Sequence, residues 1–232
     1  MRPKSVHLLL LAASAALSIP RAAAGQEAGP PRPLPQLAQE LFMVETACTQ
    51  DRGEVQLTAH SRLQDETNTR LLGEYGVTDR LQLSLVTPAV EGNGDDEESA
   101  WDLGVLYAVI PGQSPVAVSA GLEIDLSPDE APSWEPEVVA ARQWGPVQVH
   151  ASVATDLRSP GDGFSGGVAA LLDRNKVTPT LELAWSASEH EYLVPGVFVH
   201  PLHQLEAGFG LPLCLGCTAD HRQGRVMLTV EF

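Results

Sequence analysis

The sequence predicts an all-β chain: an up-and-down antiparallel transmembrane β-barrel of about twelve strands. Three observations lead there. An export leader is followed by no second long apolar run, period-two alternation is sustained from Glu54 to the last residue, and the connections alternate between short and long.

The leader comes first. Arg2 and Lys4 precede an apolar run from Val6 to Ile19 and then the small residues Ala22, Ala23 and Ala24, the charge, core and cleavage order of a secretory signal peptide. Residues 1–24 are therefore expected to be removed by the secretion machinery, and the mature chain to start near Gly25. The leader carries Arg2, Lys4 and Arg21 and no acid, so its loss takes the formal net charge from −16 to about −19. Phosphate binding needs clustered Lys and Arg, so this balance argues against a nucleic-acid partner. After residue 24 no stretch approaches the roughly 18–20 consecutive apolar residues of a membrane helix. A chain that still meets lipid must do so as a closed barrel, the other way to satisfy every backbone group there.

Residues 26–38, QEAGPPRPLPQLA, hold four prolines and read as an extended leader. Residues 25–53 are thus expected in the periplasm ahead of the fold, with 41–52 able to enter the barrel as a partial plug. The barrel itself is expected over 54–232. Val55, Leu57 and Ala59 interleave with Gln56, Thr58 and His60, and Leu81, Leu83 and Leu85 with Gln82 and Ser84. Val116, Val118, Ala120, Leu122 and Ile124 interleave with Ala117, Ser119, Gly121, Glu123 and Asp125. The pattern continues through Val147–Val153 and Leu181–Trp185 and ends on Val226, Leu228, Val230 and Phe232. Such alternation marks strands with one apolar and one polar face. Twelve segments result: 54–63, 67–76, 80–88, 101–110, 114–125, 135–144, 146–156, 163–172, 176–187, 190–200, 203–213 and 223–232.

The connections sort by side. Even-numbered segments are followed by VTD, PGQ, WGP, DRN and HPLH, all short; odd-numbered ones by QDETN, EGNGDDEESA, LSPDEAPSW, LRSPGDGF, SEHE and LGCTADHRQG, of which only SEHE is not clearly long. Short periplasmic turns and longer external loops, with an even strand number that leaves both ends on one side, are the habit of outer-membrane barrels.

Periodicity alone leaves the faces undecided, because a soluble barrel turns its apolar face inward and a membrane barrel turns it outward. Three features favour the membrane arrangement. Small residues abound on the polar side (Gly104, Ala108, Ala117, Gly121, Gly208, Gly210), Tyr75, Trp101, Trp134, Trp144 and Tyr192 fall near strand ends as an interfacial girdle would, and the chain ends on Phe232. A terminal Phe on an alternating strand is like the signal read by the barrel-assembly machinery; the plain alternative is a last core residue. On the membrane reading, Arg62, Arg70, Glu74, Glu123, Arg142, Glu182, Glu206 and Glu231 line the lumen.

The runs VETACTQDRGEVQLTAHSRL (44–63), TRLLGEYGVTDRLQLSL (69–85), AVSAGLEIDL (117–126) and YLVPGVFVHP (192–201) resemble the bacterial outer-membrane β-barrel family named for a MetA-pathway of phenol degradation, also described as transporter-like outer-membrane proteins. The most specific piece is EYGVTDRLQL, where Gly76 and Thr78–Asp79 make a tight turn. The resemblance covers most of the mature chain. It implies an outer-membrane barrel that passes hydrophobic or aromatic compounds, and it implies no catalytic residues. The long acidic third loop and the CLGC near the last loop depart from that pattern.

Other constellations fit structural roles better. Gly163-Phe164-Ser165-Gly166-Gly167 matches G-x-S-x-G, but it leads from a loop into a strand rather than from a strand into a helix. A barrel lipase would need a histidine at Ser165, and the nearest, His150, has lumenal parity. Asp95, Asp96, Glu97 and Glu98 lack the spacing of a calcium loop. Cys214 and Cys217 either close a small disulfide in an oxidising compartment, leaving Cys48 unpaired, or remain thiols. No second Cys or His pair has the spacing of a zinc site, so no metal and no cofactor is expected. The resulting expectation is a passive outer-membrane pore or transporter for a small-molecule solute, with lipid around it. Its alternatives are a closed-lumen structural or adhesion barrel and an outer-membrane lipase.

Overall fold

The computed structural model describes residues 41–63, 67–88, 90–91, 100–111, 116–127, 131–158, 163–174, 176–186, 191–202, 204–217 and 224–232. The signal peptide 1–24, the leader as far as residue 40, the acidic run Asp95 to Glu98 and His203 lie outside these. Twelve strands cross the molecule: β1 (Val55–Leu63), β2 (Thr67–Thr78), β3 (Leu81–Val86), β4 (Trp101–Ile110), β5 (Val116–Leu126), β6 (Ser133–Trp144), β7 (Val147–Thr155), β8 (Phe164–Leu172), β9 (Val177–Ser186), β10 (Glu191–Leu202), β11 (Leu205–Gly210) and β12 (Gly224–Glu231). Each pairs antiparallel with its neighbours in sequence. The ring closes because β1 pairs on one side with β2 and on the other with β12, so that Leu57 stands opposite both Gly73 and Val230.

Proline shapes two strands. β3 halts at Thr87-Pro88 and resumes as Val90–Glu91 against β2, and β11 halts at Leu211-Pro212 and resumes as Leu213–Leu215 against β10. Proline has no N–H to give to a ladder, so each strand is interrupted without changing its partner. The short turns lie at one end. Gly145 takes φ +57° in the Gly145-Pro146 corner between β6 and β7, with nothing near its missing Cβ, so backbone conformation is what requires glycine there.

Burial settles the faces. Gln56, His150 and Glu182 are 0% exposed, whereas Leu57, Leu181 and Phe209 are 50% exposed or more. A water-soluble fold would show the opposite. The polar face therefore points inward and a continuous apolar belt points outward, the arrangement of a barrel that faces lipid. Tyr75 and Trp144 lie on the outer face near the short-turn end, and Trp101 and Trp134 near the long-loop end. Trp134 and Trp144 stand ten positions apart on β6; at about 3.3 Å per residue and a tilt near 40° that is roughly 25 Å, the height of an outer-membrane apolar band.

The register corrects two expectations. Arg142 pairs with Val116 and Val149, both outward, and its guanidinium carbon sits 4.8 Å from the Trp144 ring centroid. It is an outer-face residue two positions from the short-turn end. Tyr192 pairs with Ala184, an inner-face residue, and packs against the apolar cluster inside the ring. It is a lumenal residue and not part of the girdle.

Candidate functional site

Residues 41–53 run inside the barrel. They touch the inner faces of strands all round the ring, which only a segment within the lumen can do. At one end they continue into β1. Gly53 N donates to Gly76 O (2.7 Å) and Gly76 N to Glu54 O (3.0 Å). Gln50 is buried in a network in which its backbone N donates to Gln82 Oε1 (2.8 Å) and its Nε2 to Gln56 Oε1 (2.8 Å). Glu74 completes that network, accepting from Gln56 Nε2 at 2.9 Å and from Gln82 Nε2. In the middle, Ser119 Oγ donates to Ala47 O (2.7 Å), and Ala47 packs on Ala117, Val139 and Ala141.

The far end is held hardest. Glu182 projects from β9 and accepts three consecutive main-chain amides: Phe42 N at 2.9 Å on Oε1, Met43 N at 2.8 Å and Val44 N at 3.1 Å on Oε2. Arg225 Nη1 of β12 donates to the Phe42 carbonyl at 2.6 Å. The Phe42 ring stacks on Phe198 at 4.7 Å between centroids. Beside it the wall is bare at two glycines: a Cβ at Gly210 would lie 2.8 Å from Phe42 Cγ, and one at Gly196 would run into the same ring. Gly167 likewise makes room for Val44. Leu171, Ala169, Val194 and Met227 complete the apolar lining.

Beside this segment lies a cavity of about 260 Å³, toward the long-loop end. Glu45 of the inner segment, Glu123 of β5, Glu135 and Glu137 of β6, Ser165 and Tyr192 are among its lining. Four carboxyl groups thus share one small space, and in their ionised form they raise its negative potential.

The other sequence-derived candidates fall as follows. Arg70 faces inward and pairs with Asp102 (2.6 Å), Glu206 meets His200 Nδ1 at 3.2 Å, and Arg62 stands opposite Asn68 and Arg225 at the long-loop mouth. Glu231 lies on β12 opposite Gln56, at the short-turn rim. Phe232 closes the ladder, donating to Val55 O at 2.9 Å and accepting from Val55 N at 3.2 Å, with its ring on the exposed outer edge. Cys214 and Cys217 are joined in a disulfide with Cα atoms 5.7 Å apart, and Cys48 is a free thiol. Ser165 is inside the ring and donates to Glu135 Oε1 at 2.9 Å. His150 pairs opposite Ala169, four residues along β8 and so roughly 13 Å from Ser165, too far for a nucleophile and its base. Glu45, Glu135, Glu137 and Arg225 were not singled out from the sequence, although the inward parity of the last three is readable from their neighbours.

No family model and no curated protein sequence matches the chain. Solved structures do. The KdgM porin superposes with a TM-score of 0.58 at 12% identity, covering 76% of this chain and 98% of the porin. The NanC porin does so at 0.52 and 11% identity, covering 77% and 98%. The chain shares the fold of these porin barrels. The narrower likeness to the MetA-pathway family gains nothing from these matches.

Proposed function

We propose that the protein resides in the outer membrane and passes small hydrophilic solutes passively through its lumen, with residues 41–53 forming a plug in the closed state. The observation that carries this reading is what fills the bore. Strands about 4.8 Å apart and tilted near 40° place a twelve-strand backbone cylinder at roughly 12 Å radius. A purely structural barrel would fill that space with wall side chains. Here the wall turns Gly76, Gly167, Gly196, Gly208 and Gly210 toward the segment, so the obstruction is a separable piece of chain. Phe232 at the seam fits the role of an assembly signal, and the outer aromatic rims fit contact with lipid headgroups.

The lining speaks to the solute. A solved structure of the KdgM porin is in complex with disordered oligogalacturonate, a chain of sugar acids. Glu45, Glu123, Glu135 and Glu137 would repel such a polyanion, and they also make a poor surface for the hydrophobic or aromatic compounds that the family resemblance implied. Neutral and cationic hydrophilic solutes suit it. Liposome swelling with reconstituted protein tests this: neutral sugars and amino sugars of similar size should enter faster than sugar acids. Equal exclusion of all three from a folded barrel lacking residues 25–53 would defeat the pore reading, and preferred entry of sugar acids would defeat the charge argument.

A further inference from the structure

We infer that the inner wall around Glu182 is a receptor for a bent peptide segment carrying an aromatic side chain, occupied in cis by residues 41–44, and that release of this stretch opens the lumen. The inference rests on the pore reading and adds where the plug is gripped and what chemistry grips it. Three observations carry it. The carboxylate of Glu182 is fully buried and takes three successive amides, which only a bent main chain can aim at one carboxylate, so it recognises the curl of residues 42–44 rather than any one side chain. Arg225 takes the carbonyl of Phe42, so both polar groups of one peptide unit are read, from two different strands of the wall. Gly196 and Gly210 leave a slot over Phe198 that the Phe42 ring fills, which adds side-chain selection to main-chain recognition.

The two ends of the segment differ in kind. Residues 50–53 are continuous with β1 and are tied to Gln82, Gln56 and Gly76, all close in the chain. Residues 41–44 are tied to Glu182, Phe198 and Arg225, more than a hundred residues away. The first end is therefore an anchor and the second a docked ligand, joined by a short stretch that itself touches the wall at Ala47. Undocking leaves the barrel ladder untouched, because none of its main-chain hydrogen bonds runs through residues 41–44.

The geometry supplies its own test in the full chain. A Cβ placed on Gly167 lies 3.5 Å from Val44 Cβ, within the span of a disulfide. In a Cys48→Ser background, V44C with G167C should close under an added oxidant and hold single-channel conductance at its minimum; reductant should restore the openings seen with Cys48→Ser alone. Replacing residues 41–44 by Gly-Ser-Gly-Ser should raise mean conductance above that of the unaltered chain, toward that of a chain lacking residues 25–53. Acetyl-Leu-Phe-Met-Val-amide should then block the replaced chain, and Gly210→Val should relieve the block by filling the slot. A short tether acts at about millimolar effective concentration, so about millimolar free peptide should cut mean current roughly tenfold. If the chain lacking 25–53 conducts while the Gly-Ser chain stays shut, or if the peptide has no effect on a conducting Gly-Ser chain, the receptor is wrong and the pore stands. If the chain lacking 25–53 folds and does not conduct, the pore reading itself falls.

Discussion

Replacing Glu182 with alanine removes the acceptor of three amides and nothing from the barrel ladder. A hydrogen bond to a charged group contributes about 1.5–3 kcal/mol where both partners are desolvated. Glu182 is fully buried, but the space its side chain vacates would admit water that satisfies part of the loss. Two bonds' worth at the lower figure, about 3 kcal/mol, is therefore a fair net cost of docking, or about a hundredfold in the undocked population. Hydrogen–deuterium exchange in detergent micelles reads that population directly, since Phe42, Met43 and Val44 each donate to this carboxylate. Their amides should exchange about a hundredfold faster in Glu182→Ala and roughly tenfold faster in Glu182→Gln, which keeps one acceptor oxygen without the charge. Amides along β1 and β12, paired in the closing ladder, should not change. Unchanged exchange at residues 42–44 would refute the idea that Glu182 holds the segment.

Further tests address the apolar grip, the free thiol and the lipid face. Phe42→Ala removes a ring that is 2% exposed and should cost about 2–4 kcal/mol of docking, leaving residues 41–53 open to protease while the barrel still resists SDS until boiled; an uncut segment would count against it. Burial pushes the Cys48 thiol up to about 12, so it is a neutral thiol throughout the working pH range. It should label with maleimide far more slowly than an exposed cysteine at pH 8, and Glu182→Ala should speed the reaction; labelling at the exposed rate in the unaltered chain would place Cys48 outside the docked segment. Leu181→Arg puts a charge at mid-height on the outer face and should lower folding stability in lipid vesicles by about 2–4 kcal/mol, measured by urea titration. A change within error of zero would mean that this face does not meet hydrocarbon.

How much of this was legible in the sequence depends on range. Strand existence, antiparallel neighbours and most lumenal residues follow from alternation, which is local and survives in one sequence. Glu182 and Arg70 were readable in this way because their apolar neighbours fix the parity. Arg142 and Tyr192 were misplaced where residue type overrode parity: an arginine reads as polar and inward, and a tyrosine near a strand end reads as girdle. Alternation through Val138, Ala140 and Trp144, and through Val194 and Phe198, points the other way in both cases. The face assignment needed the closed ring, since period two describes soluble and membrane barrels alike. Residues 41–53 have no period of their own. Their place depends on contacts such as Glu182 with Phe42, 140 positions apart, for which the only sequence trace is a lumenal wall rich in glycine and alanine.

The central claim is that a porin-like bore is stopped by the chain's own residues 41–53. Single-channel recording in planar bilayers compares the mature chain with one lacking residues 25–53, both verified as folded by heat-modifiable migration. The shortened barrel should show discrete, cation-favouring conductance steps that the mature chain shows rarely or not at all. Silence from a folded, shortened barrel, or equal conductance from the two chains, would contradict it.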